Sequence, residues 1–85
     1  MHFVYVLRSD DGELYVGRTA QLEKRLESHN KGQNRSTRGR QWTLVYYEAY
    51  LASEDAARRE KQLKRHGQAL RWLKHRIASS LREGG

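Results

Sequence analysis

Hydrophobic positions along the chain fall into short segments with two different periods. From His2 to Arg8, Phe3, Tyr5 and Leu7 alternate with Val4 and Val6, so both faces are apolar and a strand covered on both sides is predicted. Ser9-Asp10-Asp11-Gly12-Glu13 is turn chemistry, with Gly12 free to take positive φ. Leu14 to Arg18 reads as the returning strand of a β-hairpin. A helix follows from about Gln21 to Asn30, with Thr19 as its expected N-cap and Gly32 just past its end. Lys31 to Gln41 has no apolar residue and reads as a basic loop. Trp42 to Tyr50 is apolar on both faces and is expected to be the central strand. Ser53 is positioned to cap a helix whose first turn carries Glu54 and Asp55, acids placed against the positive end of its dipole. Gly67 is expected to break that helix, and the last one, about Gln68 to Leu81, carries Leu70, Leu73, Ile77 and Leu81 along one stripe. The order is ββαβαα: an α+β fold with a three-stranded, largely antiparallel sheet flanked by helices. Residues 1–82 form one domain in this reading, with 83–85 a tail.

Composition narrows the function. An 85-residue chain with 36% hydrophobic residues supports one domain with a small core and no separate targeting module. The lack of cysteine excludes a disulfide framework, a thiolate zinc site and a cysteine nucleophile. No run approaches the roughly 18 apolar residues of a membrane span, and MHFVYVLRSDDG lacks a signal-peptide layout, so the cytoplasm is expected and a membrane partner is not. Lys and Arg number 17 against 10 Asp and Glu, a formal charge of +7, as a nucleic-acid-binding domain requires. Twelve of those cations are arginines, whose planar fork matches phosphate bidentately. A well-solvated basic surface is the plainer explanation of the same charge.

Function shows where polar residues break the helical period. At about 100° per residue, Leu22 and Leu26 set the core side of the first helix. His29 falls about 20° from Leu22 and Arg25 about 60° from it, one turn apart and able to address the same phosphate. Alternatively, Arg25 snorkels over the core edge and His29 satisfies a backbone carbonyl. In the next helix Ala56, Ala57 and Leu63 mark the inner face, Glu60 lies about 40° from Ala56, and Arg58, Arg59, Lys61 and Gln62 are expected on the outer side. A carboxylate on a buried stripe needs a cation, which leaves an ion pair with an arginine or a divalent metal. Tyr5 and Tyr15 stand on the two hairpin strands, and Gly17 shares a face with Tyr15, where a missing side chain would let a ligand approach the backbone. Tyr46, Tyr47 and Tyr50 read as large apolar bodies with satisfied hydroxyls.

These residues, in this order, resemble the GIY-YIG nuclease superfamily, in particular its small stand-alone bacterial members. Phe3-Val4-Tyr5 fills the first motif and Tyr15-Val16-Gly17 the second. Arg25 matches the family's arginine ten residues after the second tyrosine, and His29 the histidine one turn later. Glu60, within Arg59-Glu60-Lys61-Gln62-Leu63-Lys64, matches the metal-binding glutamate, and Arg18 the basic residue after the glycine. Phe3 replaces the first motif's glycine, Gln41-Trp42 stands where many relatives have proline, and Trp72 stands where some carry an asparagine.

The resemblance implies an endonuclease hydrolysing phosphodiester bonds with one divalent ion, Mg²⁺ or Mn²⁺. Glu60 would hold the ion, Arg25 would bind the scissile phosphate, Tyr5 or Tyr15 would draw a proton from the attacking water, and His29 would assist. Arg18, Arg35, Thr37, Arg38, Arg40 and Lys64 would contact the nucleic-acid backbone, with DNA expected over RNA and any targeting partner unspecified. The competing reading keeps the fold and basic surface as a nucleic-acid-binding module with little or no cleavage.

Overall fold

The computed structural model describes residues 1–33, 37–65 and 67–83. The predicted hairpin forms from β1 (His2–Ser9) and β2 (Leu14–Thr19), paired antiparallel with Tyr5 opposite Gly17 and Leu7 opposite Tyr15. Its turn closes with Ser9 donating its backbone N–H to the Glu13 carbonyl at 2.9 Å, and Gly12 takes a φ of +90°. The third strand, β3 (Trp42–Tyr50), also runs antiparallel to β1, giving the order β2-β1-β3. The expectation that Trp42–Tyr50 is central is therefore overturned. β1 is the central strand, with Val4, Tyr5, Val6 and Leu7 all buried. An edge strand can carry apolar residues on both faces, as β3 does with Tyr47 left exposed on one of them, so its pattern could not reveal its place in the sheet.

Alternation along β1 builds two small cores on opposite faces of the sheet. Tyr5 and Leu7 pack with Trp42, and Tyr15, Leu22, Leu26 and Leu44 close this cluster beneath α1 (Leu22–Asn30). Val4 and Val6 meet Val16, Ala56, Leu63, Leu73 and Ile77 on the other face. That side is covered by α2 (Ser53–Arg65), α3 (Gly67–Arg76) and α4 (Ala78–Glu83). The single last helix expected over 68–81 is thus two segments, interrupted at Ile77. Hydrogen bonds from Ile77 to Leu73 and from Leu81 to Ile77, both 3.0 Å, carry the helical spacing across the interruption, so the predicted stripe still faces the core.

The ends of α1 are set differently. Gln21, not Thr19, is its N-cap residue, and the Thr19 hydroxyl instead accepts the Gln21 N–H one turn earlier, at 3.0 Å. At the other end Gly32 takes a φ of +75°, its N–H bonds the His29 carbonyl, and the Gln33 N–H bonds that of Ser28. Those two bonds form a Schellman closure, which requires the left-handed residue that glycine supplies. Asn30 then turns the helix end into a clamp on β3. Its side-chain amide donates to the Trp42 carbonyl at 2.9 Å and accepts the Trp42 N–H at 2.6 Å. Asn30→Ala would strand both Trp42 groups, at a cost of about 2–3 kcal/mol. Urea denaturation should show a lower midpoint with an unchanged slope.

Candidate active site

Tyr5 is the centre of the site, and Gly17 is the reason it fits. A Cβ built on Gly17 would lie 2.3 Å from the Tyr5 hydroxyl oxygen and 2.4 Å from Cζ. The space above this glycine is therefore filled by the phenol, not held open for a ligand as its place in the sequence suggested. Tyr5 is only 2% exposed, and its hydroxyl is 2.8 Å from His29 Nε2. On the other side of the ring, His29 Nδ1 is 2.7 Å from the Thr37 hydroxyl. His29 is 0% exposed, so it makes no direct contact with solvent. A neutral imidazole donates from one nitrogen and accepts at the other, so the two flanking hydroxyls have opposite roles.

Thr37 was expected on the phosphate-facing loop. It is buried instead, its hydroxyl against His29 and its carbonyl accepting the Trp42 indole N–H at 2.8 Å. Sequence missed this partner because loop residues carry no periodic signal; the only visible hint was one threonine among basic residues.

Charges around Tyr5 come from both layers of the fold. Burial raises its pKa, Tyr15 and Glu60 raise it further, and Arg25 opposes them. Burial lowers the pKa of His29, and the Arg25 charge lowers it again. Arg25 itself is exposed on α1, with no ion-pair partner among the described residues, in a shallow cleft of about 170 Å³ lined also by Thr19, Lys24 and Ser28. Glu60 reaches the same region from α2, and its side chain is 21% exposed. One carboxylate oxygen lies 3.3 Å from Arg18 Nε and the other 3.2 Å from Lys64 Nζ. Lys64 Nζ is also 5.7 Å from the centre of the Tyr15 ring, and Tyr15 packs edge-on to His29 at 4.9 Å. The site thus straddles β2, an edge strand, with Arg18 on one of its faces and Tyr15 and Gly17 on the other.

The remaining expected contacts are dispersed. Arg38 is exposed and donates to the Gly32 carbonyl at 3.2 Å. Arg40 pairs with Asp11 at the hairpin turn, 3.3 Å apart. Arg35 lies outside the described residues. Arg59, expected to face outward, is half-buried, its Nε 3.0 Å from each oxygen of Glu48. Glu48 also accepts the hydroxyls of Tyr46, at 2.6 Å, and Tyr50. Burial pushes the Glu48 carboxyl up, but these bonds outweigh it and hold the group below its ordinary value. The signal for this network was present, since Glu48 is the one acid within an apolar strand.

A model of the GIY-YIG catalytic domain matches residues 1–75. The chain belongs to the GIY-YIG family. UPF0213 proteins from Staphylococcus aureus strains Mu3 and N315 are each 38% identical to it over 79 residues, covering 88% of this chain and 96% of theirs. It is also similar to a UPF0213 protein from Bacillus halodurans solved by solution NMR, at 35% identity and a TM-score of 0.52, over 86% of this chain and 84% of that one. GIY-YIG membership places the chain in a nuclease superfamily and implies a nucleic-acid substrate. No helix among the described residues is long and apolar enough to cross a membrane.

Glu60 fits a divalent ion in one respect: it is a hard, partly exposed oxygen donor, and magnesium commonly takes one protein carboxylate with waters and a substrate phosphate. No group of three or more His, Cys, Asp or Glu side chains placed to hold a metal ion occurs among the described residues.

Two outcomes follow for the buried relay. Gly17→Ala should displace Tyr5 and cost about 1–3 kcal/mol, measured by thermal or urea unfolding. Because the folded-state pKa of His29 is depressed, the unfolded chain binds its proton first as pH falls through about 6.5. The melting temperature should therefore drop between pH 7.5 and 5.5, and His29→Gln should flatten that drop.

Proposed function

We propose that this GIY-YIG domain hydrolyses phosphodiester bonds of nucleic acid, DNA in preference to RNA, on the surface shared by Tyr15, Arg25 and Glu60. The observation that carries this reading is the convergence on one buried phenol. Glu60 of α2 sits on Arg18 and on Lys64, which lies over the Tyr15 ring. Tyr15 packs on His29, one turn from Arg25 of α1, and Arg25 and Glu60 shift Tyr5 in opposite directions. Arg25, exposed and free of an acidic partner among the described residues, would bind the scissile phosphate and stabilise the charge its oxygens gain. Glu60 would hold Mg²⁺ or Mn²⁺, which when bound supplies further positive charge to the phosphoryl group.

The two tyrosines divide the remaining work. Tyr5 is sealed against His29 and over Gly17, and its raised pKa disfavours the phenolate, so it positions. Tyr15, half-buried beside the Lys64 ammonium, is the phenol left to take the proton of the attacking water. His29 and Thr37 hold Tyr5 in register from behind. Arg18, Lys64 and Arg38 are exposed enough to engage flanking phosphates.

One observation favours a binding module without cleavage. Both oxygens of Glu60 carry a protein cation, and if Arg18 and Lys64 stayed there the carboxylate could not hold a metal. The two readings separate on a panel of single-stranded, duplex and branched DNA and RNA, incubated with Mg²⁺, Mn²⁺ or EDTA. Catalysis predicts metal-dependent cleavage that Glu60→Ala reduces by at least about 10²-fold with binding retained. Arg25→Ala should lose far more activity than Arg58→Ala, since Arg58 pairs with Asp55 on the outer side of α2. Tyr15→Phe should lose more than Tyr5→Phe. Cleavage of equal rate by wild type and Glu60→Ala would remove the catalytic assignment.

A further inference from the structure

The second face of the sheet carries a feature the site does not use. Trp72 on α3 is 65% exposed, whereas the chain's other tryptophan, Trp42, is 5% exposed. Trp72 borders a groove of about 530 Å³ between α2 and α3, together with Arg59, Gln62, Gln68, Leu73 and Arg76. Among the described residues no acidic side chain lines it. Arg59 and Gln62 leave α2 about 100° and 160° from Glu60, so this groove lies on a different side of that helix from the site above.

Arg59 is fixed in the groove wall. Both oxygens of Glu48 hold its Nε, its Nη1 is 3.5 Å from the Gln62 side-chain oxygen, and Nη2 has no bond among the described residues. Arg76 has no ion pair among the described residues. α3 carries Arg71, Lys74 and Arg76 and no acid from Gly67 to Arg76. An exposed indole flanked by guanidinium and carboxamide groups, in a concave and cationic setting, matches a planar base attached to phosphates.

We propose that this groove is a second nucleic-acid contact, where an unpaired base stacks on Trp72 while Arg59 and Arg76 engage the adjoining phosphates. Two separated contacts on one small domain would select strands that carry unpaired bases. This rests on nucleic acid as the polymer bound, as above, but not on cleavage.

The two tryptophans provide the test. An oligothymidylate of about ten nucleotides, in the site-size range of small single-strand binders, is titrated into the full-length chain at fixed salt without divalent metal. Tryptophan emission should be quenched on binding. Trp72→Leu should abolish the quenching and weaken affinity about tenfold, as measured by anisotropy of a labelled strand. Arg76→Ala should weaken affinity while leaving the quenching at saturation. An abasic strand of the same length should bind more weakly and leave the emission unchanged.

Quenching that persists in Trp72→Leu, affinity that the substitution leaves unchanged, or equal quenching by the abasic strand would overturn the proposal. So would emission that responds to polyglutamate or to anionic phosphatidylserine vesicles but not to the oligonucleotide. Because no cleavage is required, a chain that binds in this way but never cuts would sink the nuclease reading and leave this one standing.

Discussion

The arrangement depends on one hydrogen bond, between the Tyr5 hydroxyl and His29 Nε2, made in a region closed to water. It joins the central strand to the last turn of α1, and the Thr37 hydroxyl on the far nitrogen joins both to the basic loop. Each partner would be costly to leave alone, because a buried polar atom without a partner loses its hydration and gains nothing in return. Among the described residues no buried side-chain nitrogen or oxygen lacks a hydrogen bond. The glycine of the second motif belongs to the same constraint. Any side chain there would occupy the position of the Tyr5 ring, and the phenol could no longer reach the histidine.

That constraint also explains how helices on opposite faces serve one location. The links run through the edge strand β2, whose Arg18 meets Glu60 of α2 and whose Tyr15 packs on His29 of α1. Tyr5, reaching across Gly17 of β2, brings the fixed central strand to that edge. Arg25 and Glu60 need then be placed only by their own helices. Glu60 raises the Tyr5 pKa and Arg25 lowers it, both after the larger effect of burial.

Much of this was legible in the sequence wherever a period or a turn residue carries the information. Gly12 and Gly32 mark their turns because only positive φ closes them, and the stripe from Leu70 to Leu81 faces the core despite the interruption at Ile77. The inward tilt of His29 was readable from its angle to Leu22, and its burial agrees. Three matters were not legible. The central strand could not be told from the edge strand β3, since both carry apolar residues on both faces. Thr37 and Asn30 act through single long-range bonds, to His29 and Trp42, that no local pattern announces. Arg59 was placed outward because helical angle measures direction around α2 and is blind to a carboxylate on the neighbouring strand.

The two part-buried carboxylates show why one suits exchange chemistry and the other does not. Glu48 accepts two phenols and a guanidinium from its surroundings, and Arg59 is itself half-buried. Withdrawing any one of those donors would expose a charge in a poorly hydrated place, so this cluster is fixed and ties β3 to α2. Glu60 is held by Arg18 and Lys64, whose side chains are 42% and 48% exposed. Cations so open to water gain little from the pairing and lose little by leaving it. In the function proposed above, an arriving phosphate would compete for either cation and free the carboxylate oxygen it covered. On that reading the cations that neutralise Glu60 would be the same groups that meet the substrate, and the carboxylate would become available as they turn to it.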